Sequence, residues 1–381
     1  MSRIGGARPL RIAILGDPNS VHTRRWAGYF ADGGHEIHVL VPEKDSITVA
    51  HDPRYEVNAF SAWKEGRIPG AGLLATSRAL GRLLAQIKPD VLHSHSVTRF
   101  GLAAWESRFR PYAITVWGSD VLVEPGLSRR RRFHAWLALR GADLVTGGSQ
   151  HLVRAAVAGG ARPSRTRYVP WGVDIDRFSP GDIPAEMRAG LGLPGARVVL
   201  SARAIAPIYR QDVVMEAFAR LPEQTLLVMT RHGAREADVA DLTARAQALG
   251  VADRLRILPE LPESKVPELY RLADVVVSVP VSDGGPNTVV EALASGRPVV
   301  ASDLPPNREW LTELDPGSLV PVGDVGATAA AMAAVLARPD DERRARAARG
   351  RQAVCERADR RVSMALMETL YQELAARRRA R

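Results

Sequence analysis

The chain has 381 residues, with 52 Lys and Arg against 42 Asp and Glu, and a formal net charge of +10 carried almost wholly by Arg. That length holds two domains of ordinary size, each with its own core. The single cysteine, Cys355, excludes an intramolecular disulfide and any all-cysteine metal site, which points to a reducing compartment, with the cytoplasm as the expected location.

Residues 1–9 are polar and glycine-rich, and 10–15 is too short for the apolar segment of a signal peptide. No apolar run approaches the roughly 20 residues needed to span a bilayer, so a soluble or peripheral protein is expected. From Leu10 onward, short apolar runs alternate with amphipathic stretches, the pattern of a parallel sheet with helices on both faces. Strands are predicted at 11–15, 36–41, 91–93, 113–116, 144–146 and 167–169, with helices between them, among them 23–32 and 73–87. A second series follows at 198–201, 225–229, 254–257, 275–279, 298–301 and 318–320. Between the two series lies 170–184, PWGVDIDRFSPGDIP, whose Pro, Gly and Asp suit an exposed linker. The expected fold class is α/β: two Rossmann-like, doubly wound parallel-sheet domains, 1–172 and 173–355, facing a central cleft onto which the C-terminal strand ends open.

Arginines cluster at 129–132, 343–351 and 377–381. Such a surface suits nucleic acid, an anionic membrane or phosphorylated substrates, and it equally suits an Arg-rich genome. No nucleic-acid recognition module is interleaved with the clusters, so nucleic acid is not an expected partner. The first cluster opens a predicted helix, 128–140, with Phe133, Trp136, Leu137 and Leu139 interleaved. A helix of that kind suits either a membrane surface or a core-facing position with a solvated end.

The most informative segment is 282–302, SDGGPNTVVEALASGRPVVAS. Pro286 suits a first helical position, Gly296 the stop after the last turn, and 298–301 a short buried strand. A turn entering a helix presents backbone N–H groups at the positive end of the helix dipole, which suits a phosphate. Gly284, Gly285, Pro286, Asn287 and Thr288 would form that turn. Glu291, more than one turn inside, and Asp283 would face hydroxyl-bearing parts of the same ligand. Phosphate at the turn with hydroxyls at two carboxylates describes a sugar nucleotide, while Asp283 alone equally suits a helix cap.

This segment resembles the signature of the retaining glycosyltransferases of family 4: an acidic residue, seven intervening residues, a Glu, then Ala-(Leu/Met)-Ala-x-Gly. Here it runs from Asp283 to Glu291-Ala292-Leu293-Ala294-Ser295-Gly296, with Asp where Glu is usual. Pro170-Trp171-Gly172-Val173-Asp174 is similar to the family's Gly-Val-Asp segment before the second domain. The last helix, about 362–376 within a terminal segment 356–381, resembles the family's closing helix, which crosses back onto the first domain. The resemblance implies the GT-B fold, a nucleoside-diphosphate-sugar donor on the second domain, an acceptor on the first, and no metal or other cofactor. It also implies no covalent nucleophile, because the family is thought to pass front-side attack through the departing phosphate.

Site residues follow from the same resemblance. Arg203 matches the Arg of the family's Gly-Arg-Leu…Lys-Gly pattern after the strand 198–201. The Lys is absent, and Tyr209 or Arg210 stands in its place. Arg203 and Arg210 would neutralise the diphosphate, Glu291 would hold the ribose and Asp283 the sugar hydroxyls, with Leu258 and Leu261 near the base. In the first domain Gly16 ends a strand where backbone can approach a ligand closely. The run His22-Thr23-Arg24-Arg25-Trp26 is similar to one in branches of the family, implying acceptor contact by His22 and Arg25. Trp117 stands where many members carry a His assigned to the reacting sugar, so that role does not carry over. Trp117, Gly118 and Asp120 are nonetheless candidates for sugar or acceptor binding. His93 and His95 lack a third ligand at a plausible spacing, and Asp174-Ile175-Asp176 belongs to the linker, so neither is read as a metal site.

The expected activity is retaining, metal-independent transfer of a hexosyl-type sugar to a hydroxyl of a glycan, lipid-linked or small-molecule acceptor, with peripheral membrane contact as an accompaniment. The alternative is a nucleotide-sugar-binding protein that has lost transfer, motivated by Trp117, Asp283 and the missing Lys.

Overall fold

The computed structural model describes residues 8–42, 47–48, 52–60, 71–183, 185–192, 195–231 and 233–379. Residues 1–7 of the polar N-terminal stretch, Pro184 of the linker and 380–381 of the last arginine cluster lie outside the described residues. The chain divides into two units, one of Met1–Pro170 together with Val362–Arg381, the other of Trp171–Arg361. The expected limits were 172 and 355.

The first unit carries β1 (Arg11–Leu15), β2 (Glu36–Val41), β3 (Glu56–Ala59), β4 (Val91–His95), β5 (Tyr112–Val116), β6 (Leu144–Gly147) and β7 (Thr166–Tyr168). Among the described residues they form one seven-stranded sheet in the order β3-β2-β1-β4-β5-β6-β7, and every pairing is parallel. Strands such as IAIL and YAITV are buried along their length, as a sheet covered on both faces requires. β3 was not predicted. Its four residues, Glu-Val-Asn-Ala, are half exposed at the sheet edge, too short and too polar to show a period.

The second unit carries β8 (Arg197–Ser201), β9 (Thr225–Thr230), β10 (Leu255–Leu258), β11 (Val275–Ser278), β12 (Val299–Ser302) and β13 (Leu319–Val320). Their order is β10-β9-β8-β11-β12-β13, again all parallel. One side of this sheet packs Leu200, Val228, Val276 and Ala301 with Val289 and Leu293 of the helix Asn287–Ala294; the other packs Val199, Leu227 and Val277 with Val213 and Met332. Each fully buried Val or Leu contributes about 1.5–3 kcal/mol.

Strand order reverses at β1/β4 in the first unit and at β8/β11 in the second, and ligands of open parallel sheets bind outside the C-terminal ends at such reversals. The closing helix, Arg360–Arg379, belongs to the first unit over most of its length. It buries Met364, Met367, Leu370, Tyr371 and Leu374, its Gln372 side chain donates to the Arg8 carbonyl at 2.8 Å, and Arg378 donates to the Pro89 carbonyl.

Candidate donor and acceptor sites

At the β8/β11 reversal, Arg203 follows β8 and Ser278 ends β11. Leu200 is in register with Val276, so the two loops leave the sheet side by side. Arg203 Nε donates to Ser278 Oγ at 3.1 Å, and Nη2 donates to Asp283 Oδ2. Both side chains are nearly covered, at 13% and 9% exposure. Burial, the largest single effect, would lower the Arg203 guanidinium; Asp283, Tyr209 and Tyr270 together outweigh it and hold the group above its ordinary value. The Tyr209 ring lies 5.2 Å from the guanidinium carbon.

Asp283 also shapes the turn that follows. Its Oδ1 accepts from the Gly285 N–H at 3.3 Å, and the Asn287 N–H is bonded to the Gly285 carbonyl at 2.9 Å. Pro286 is the residue before the helix, not its first, and it has no N–H. The expectation that backbone N–H groups from Gly284 to Thr288 all face a ligand is therefore corrected: the turn closes partly on itself. A Cβ on Gly285 would lie 2.5 Å from Trp171 Cζ3 and 2.9 Å from Cε3. Only glycine lets the indole of the linker cover this turn. Gly296, at φ +68°, ends the helix as predicted.

One helical turn beyond Asn287, the half-buried Glu291 accepts from the Tyr270 hydroxyl at 2.8 Å, and Thr288 bonds the same tyrosine. Burial raises the Tyr270 hydroxyl well above its ordinary value, and the Glu291 carboxylate adds to the shift. Tyr270 thus stays a donor that holds Glu291 in place.

Arg210 is set differently. It sits in the left-handed region at φ 51° and forms a forked pair with Asp212, with Nε at 3.0 Å from Oδ1 and Nη2 at 2.9 Å from Oδ2. Gln211 follows, buried, and clamps the loop. Its Nε2 donates to the carbonyls of Arg203 and Ala204, and its Oε1 accepts from Ser201. Leu258 and Leu261 are half buried against the core of the unit. Sequence reasoning passed over Gln211, Tyr270 and Ser278; the last two act on partners far along the chain, and Gln211 on the loop just before it.

The β1/β4 reversal of the first unit is built from neutral groups. Gly16 follows β1, and a Cβ there would lie 3.2 Å from Thr23 Oγ1 and 3.3 Å from His95 Cβ. Its small size is thus already required by the packing of β1 on β4. Trp26 Nε1 donates to the Tyr371 hydroxyl at 2.9 Å, which lies 2.5 Å from His93 Nδ1. When the Tyr371 hydroxyl donates to Nδ1, the neutral His93 carries its proton on Nε2 and donates to Thr115 Oγ1 at 2.8 Å. Thr115 in turn lies 2.6 Å from Thr146 Oγ1. Burial pushes His93 down to about 3 and His95 well below its ordinary value.

The His22 ring lies 4.8 Å from that of Trp117 at an interplanar angle of 31°, and Trp117 meets His95 edge-on at 5.5 Å. Both His22 and Trp117 are half buried, as is Arg25. Asp120, expected to meet a sugar or acceptor, is 3% exposed. Its oxygens accept from the backbone N–H groups of Val97, Trp117 and Gly118 at 2.9–3.0 Å. It therefore fixes the strand-end turn, where Gly118 takes φ 142°, and burial raises its carboxyl despite those three bonds. Among the described residues no three His, Cys, Asp or Glu side chains group as metal ligands, and Cys355 is a free thiol.

Two Rossmann-like units with a Gly-Gly-Pro turn and a paired Arg and Asp at a strand-order reversal define the GT-B class of nucleotide-sugar proteins. Residues 11–149 match the family described as Glycosyl transferase 4-like, and 185–353 match Glycosyl transferases group 1. The chain belongs to glycosyltransferase family 4. It is 31% identical over 322 residues to D-inositol 3-phosphate glycosyltransferase of Geodermatophilus obscurus, covering 78% of this chain and 70% of that one. To the enzyme of the same name from Xylanimonas cellulosilytica it is 34% identical over 230 residues, 58% of this chain and 54% of the relative. The chain thus spans about half the length of several curated relatives it matches. Among solved structures, sucrose-phosphate synthase from Thermosynechococcus elongatus superposes with a TM-score of 0.81 at 21% identity, over 97% of this chain and 100% of that one. HepE of Anabaena, solved with UDP and glucose, gives 0.77 at 21% identity, over 95% and 99%.

Proposed function

We propose that this chain transfers a hexosyl-type sugar from a nucleoside-diphosphate sugar to an acceptor hydroxyl, with retention at the anomeric carbon and without a metal. The observation that carries this reading is the Arg203–Asp283 pair beside the Gly284–Gly285 turn, with Glu291 one helical turn further in. As the bond between sugar and diphosphate lengthens, negative charge gathers on the leaving phosphate. A preorganised guanidinium beside that phosphate stabilises the transition state more than the ground state. Arg203 is held for this by Ser278 and Asp283, which leave its remaining N–H donors for phosphate oxygens. Asp283 orients Arg203 and accepts from sugar hydroxyls, and Glu291 accepts from the ribose, whereas the Arg210 fork is taken by Asp212.

The donor class draws support from the UDP and glucose in the Anabaena structure. The acceptor draws support from the names of the relatives, which makes a phosphorylated cyclitol the first small molecule to try. His22, Arg25 and Trp117 are the proposed acceptor contacts. The helix Arg129–Gly141 leaves Phe133 and Trp136 exposed, their rings 6.1 Å apart, with Leu127 just before four arginines. We read this face as the peripheral membrane contact; Phe133→Ser should weaken sedimentation with anionic vesicles and leave transfer to a soluble acceptor intact. No helix among the described residues is long and apolar enough to cross a membrane.

The first test is a thermal-shift panel of UDP-, GDP-, ADP- and dTDP-sugars with chelator present, followed by transfer to D-inositol 3-phosphate. A rise in melting temperature with one nucleotide fixes the donor. Binding without transfer to any acceptor would favour the binding-protein alternative, and full turnover by Asp283→Ala would sink the site.

A further inference from the structure

The opposite end of the second sheet carries charges that the donor site does not use. Arg197 opens β8, Asp274 precedes β11 and Arg297 stands two residues before β12, and these three strands are neighbours. The pairing of Val276 with Val299 continues back to set Asp274 beside Arg297. Asp274 Oδ1 accepts from Arg197 Nη1 at 2.9 Å and lies 4.0 Å from Arg343 Nη1, while its Oδ2 accepts from the Val198 N–H at 2.9 Å. Arg271, at the end of the helix Val266–Leu272, turns to the carbonyls of Arg177 and Ser179. Arg297 Nε is buried with no hydrogen-bond partner.

Burial lowers the Arg297 guanidinium; Asp274 opposes that shift, and the charges of Arg188, Arg271 and Arg343 add to it. Arg197, Arg297 and Arg343 therefore gather at Asp274, with Arg188 and Arg271 near enough to act on Arg297 and Asp340 paired to Arg343 from an exposed position. Like charges gathered at a partly covered surface repel, and a buried donor left unbonded is costly. A multivalent anion with several acceptor oxygens answers both, and guanidinium forks match phosphate geometry.

We propose that this arginine cluster is a second anion site, which takes a small soluble ligand bearing a phosphate or pyrophosphate group. It stands at the N-terminal strand ends, whereas Arg203 and Asp283 follow the C-terminal ends. Strands of this length set the two sites ~15 Å apart, so both can be filled at once.

The test is a calorimetric titration of inorganic pyrophosphate into the full chain presaturated with UDP, for the native protein, Arg297→Gln and Arg188→Gln. The expected result is one equivalent bound, about tenfold more weakly in Arg297→Gln and about threefold more weakly in Arg188→Gln, with UDP affinity unchanged in both. Arg188 lies half buried on the short helix Ala185–Ala189, so its variant keeps the test open if Arg297→Gln fails to fold. Absence of pyrophosphate binding, or binding that neither substitution weakens, overturns the proposal. If UDP does not bind, the same two variants still decide the question, because the difference in pyrophosphate affinity depends on the arginines and not on the donor.

Discussion

At the β1/β4 reversal of the first unit, both ring nitrogens of His93 are bonded within the protein, to Tyr371 and to Thr115. At the β8/β11 reversal of the second, the corresponding place holds a charged pair, Arg203 and Asp283, beside a glycine turn that a Cβ could not enter. The two sheets share the same order at the reversal, so the difference lies in side chains alone. A relay of neutral groups that satisfy one another contributes to stability and asks for no ligand. A guanidinium with N–H donors beyond those its protein partners take is a group that a phosphate completes.

That contrast is broken most severely at Asp283. Asp283→Ala removes the partner of a covered guanidinium and a sugar-hydroxyl acceptor together; turnover with the donor found in the panel should fall at least 100-fold, about 3 kcal/mol in activation free energy. Asp283→Glu should recover part of that loss, since Glu is the residue usual at this position in the family. Gly285→Ala comes next. Its methyl collides with Trp171, so we expect about 2 kcal/mol of lost stability or a matching rise in the donor KM. The double variant Trp171→Ala/Gly285→Ala should regain most of it in a double-mutant cycle, and additivity would show that the indole does not position the turn.

The neutral relay should respond to acid. His93 binds its proton at about 3 in the fold and near 6.5 when unfolded. The unfolded chain therefore takes up the proton first. His93 imposes no cost above pH 6.5, and stability is lost as the pH falls from there towards 3. At pH 5 the loss should be about 2 kcal/mol, read from denaturant titrations at pH 7 and pH 5 and diminished in His93→Gln. The smallest effect is expected for Tyr371→Phe, which leaves Trp26 Nε1 without its acceptor and His93 Nδ1 without its donor. It should cost about 1–2 kcal/mol of stability and leave the affinity for the donor nucleotide unchanged.

Much of this was legible in the sequence because it depends on local pattern. Twelve of the strands among the described residues stand out in the sequence, most of them as buried apolar runs, and Gly296 stops its helix because only a residue tolerant of φ +68° can do so. Asp283 and Glu291 could be named from their places before and within the helix Asn287–Ala294, and Arg203 from the family resemblance. Three other residues show where such reading stopped. Asp120 was expected to meet a ligand because it is acidic and follows a strand, yet it serves three N–H groups of a tight turn. Arg210 was expected to face phosphate, and it forks onto Asp212 two residues away. Gln211, which clamps the Arg203 loop, carries no signal in a helix-opening Arg-Gln-Asp run.

The sequence by itself determined the two series of strands and the family signature, since each is written within a few consecutive residues and the periodicity of burial. The segment 170–184, expected as an exposed linker, instead buries Val173 and Phe178 in the core of the second unit. Only the tertiary structure decided that Arg203 meets Asp283, that Trp171 covers Gly285, that Tyr371 of the last helix joins Trp26 to His93, and that Arg297 lies among four other arginines. Each of these joins residues far apart in the chain. Their meeting follows from which strands become neighbours and in what register, and that choice depends on burial of the whole sheet rather than on any single segment.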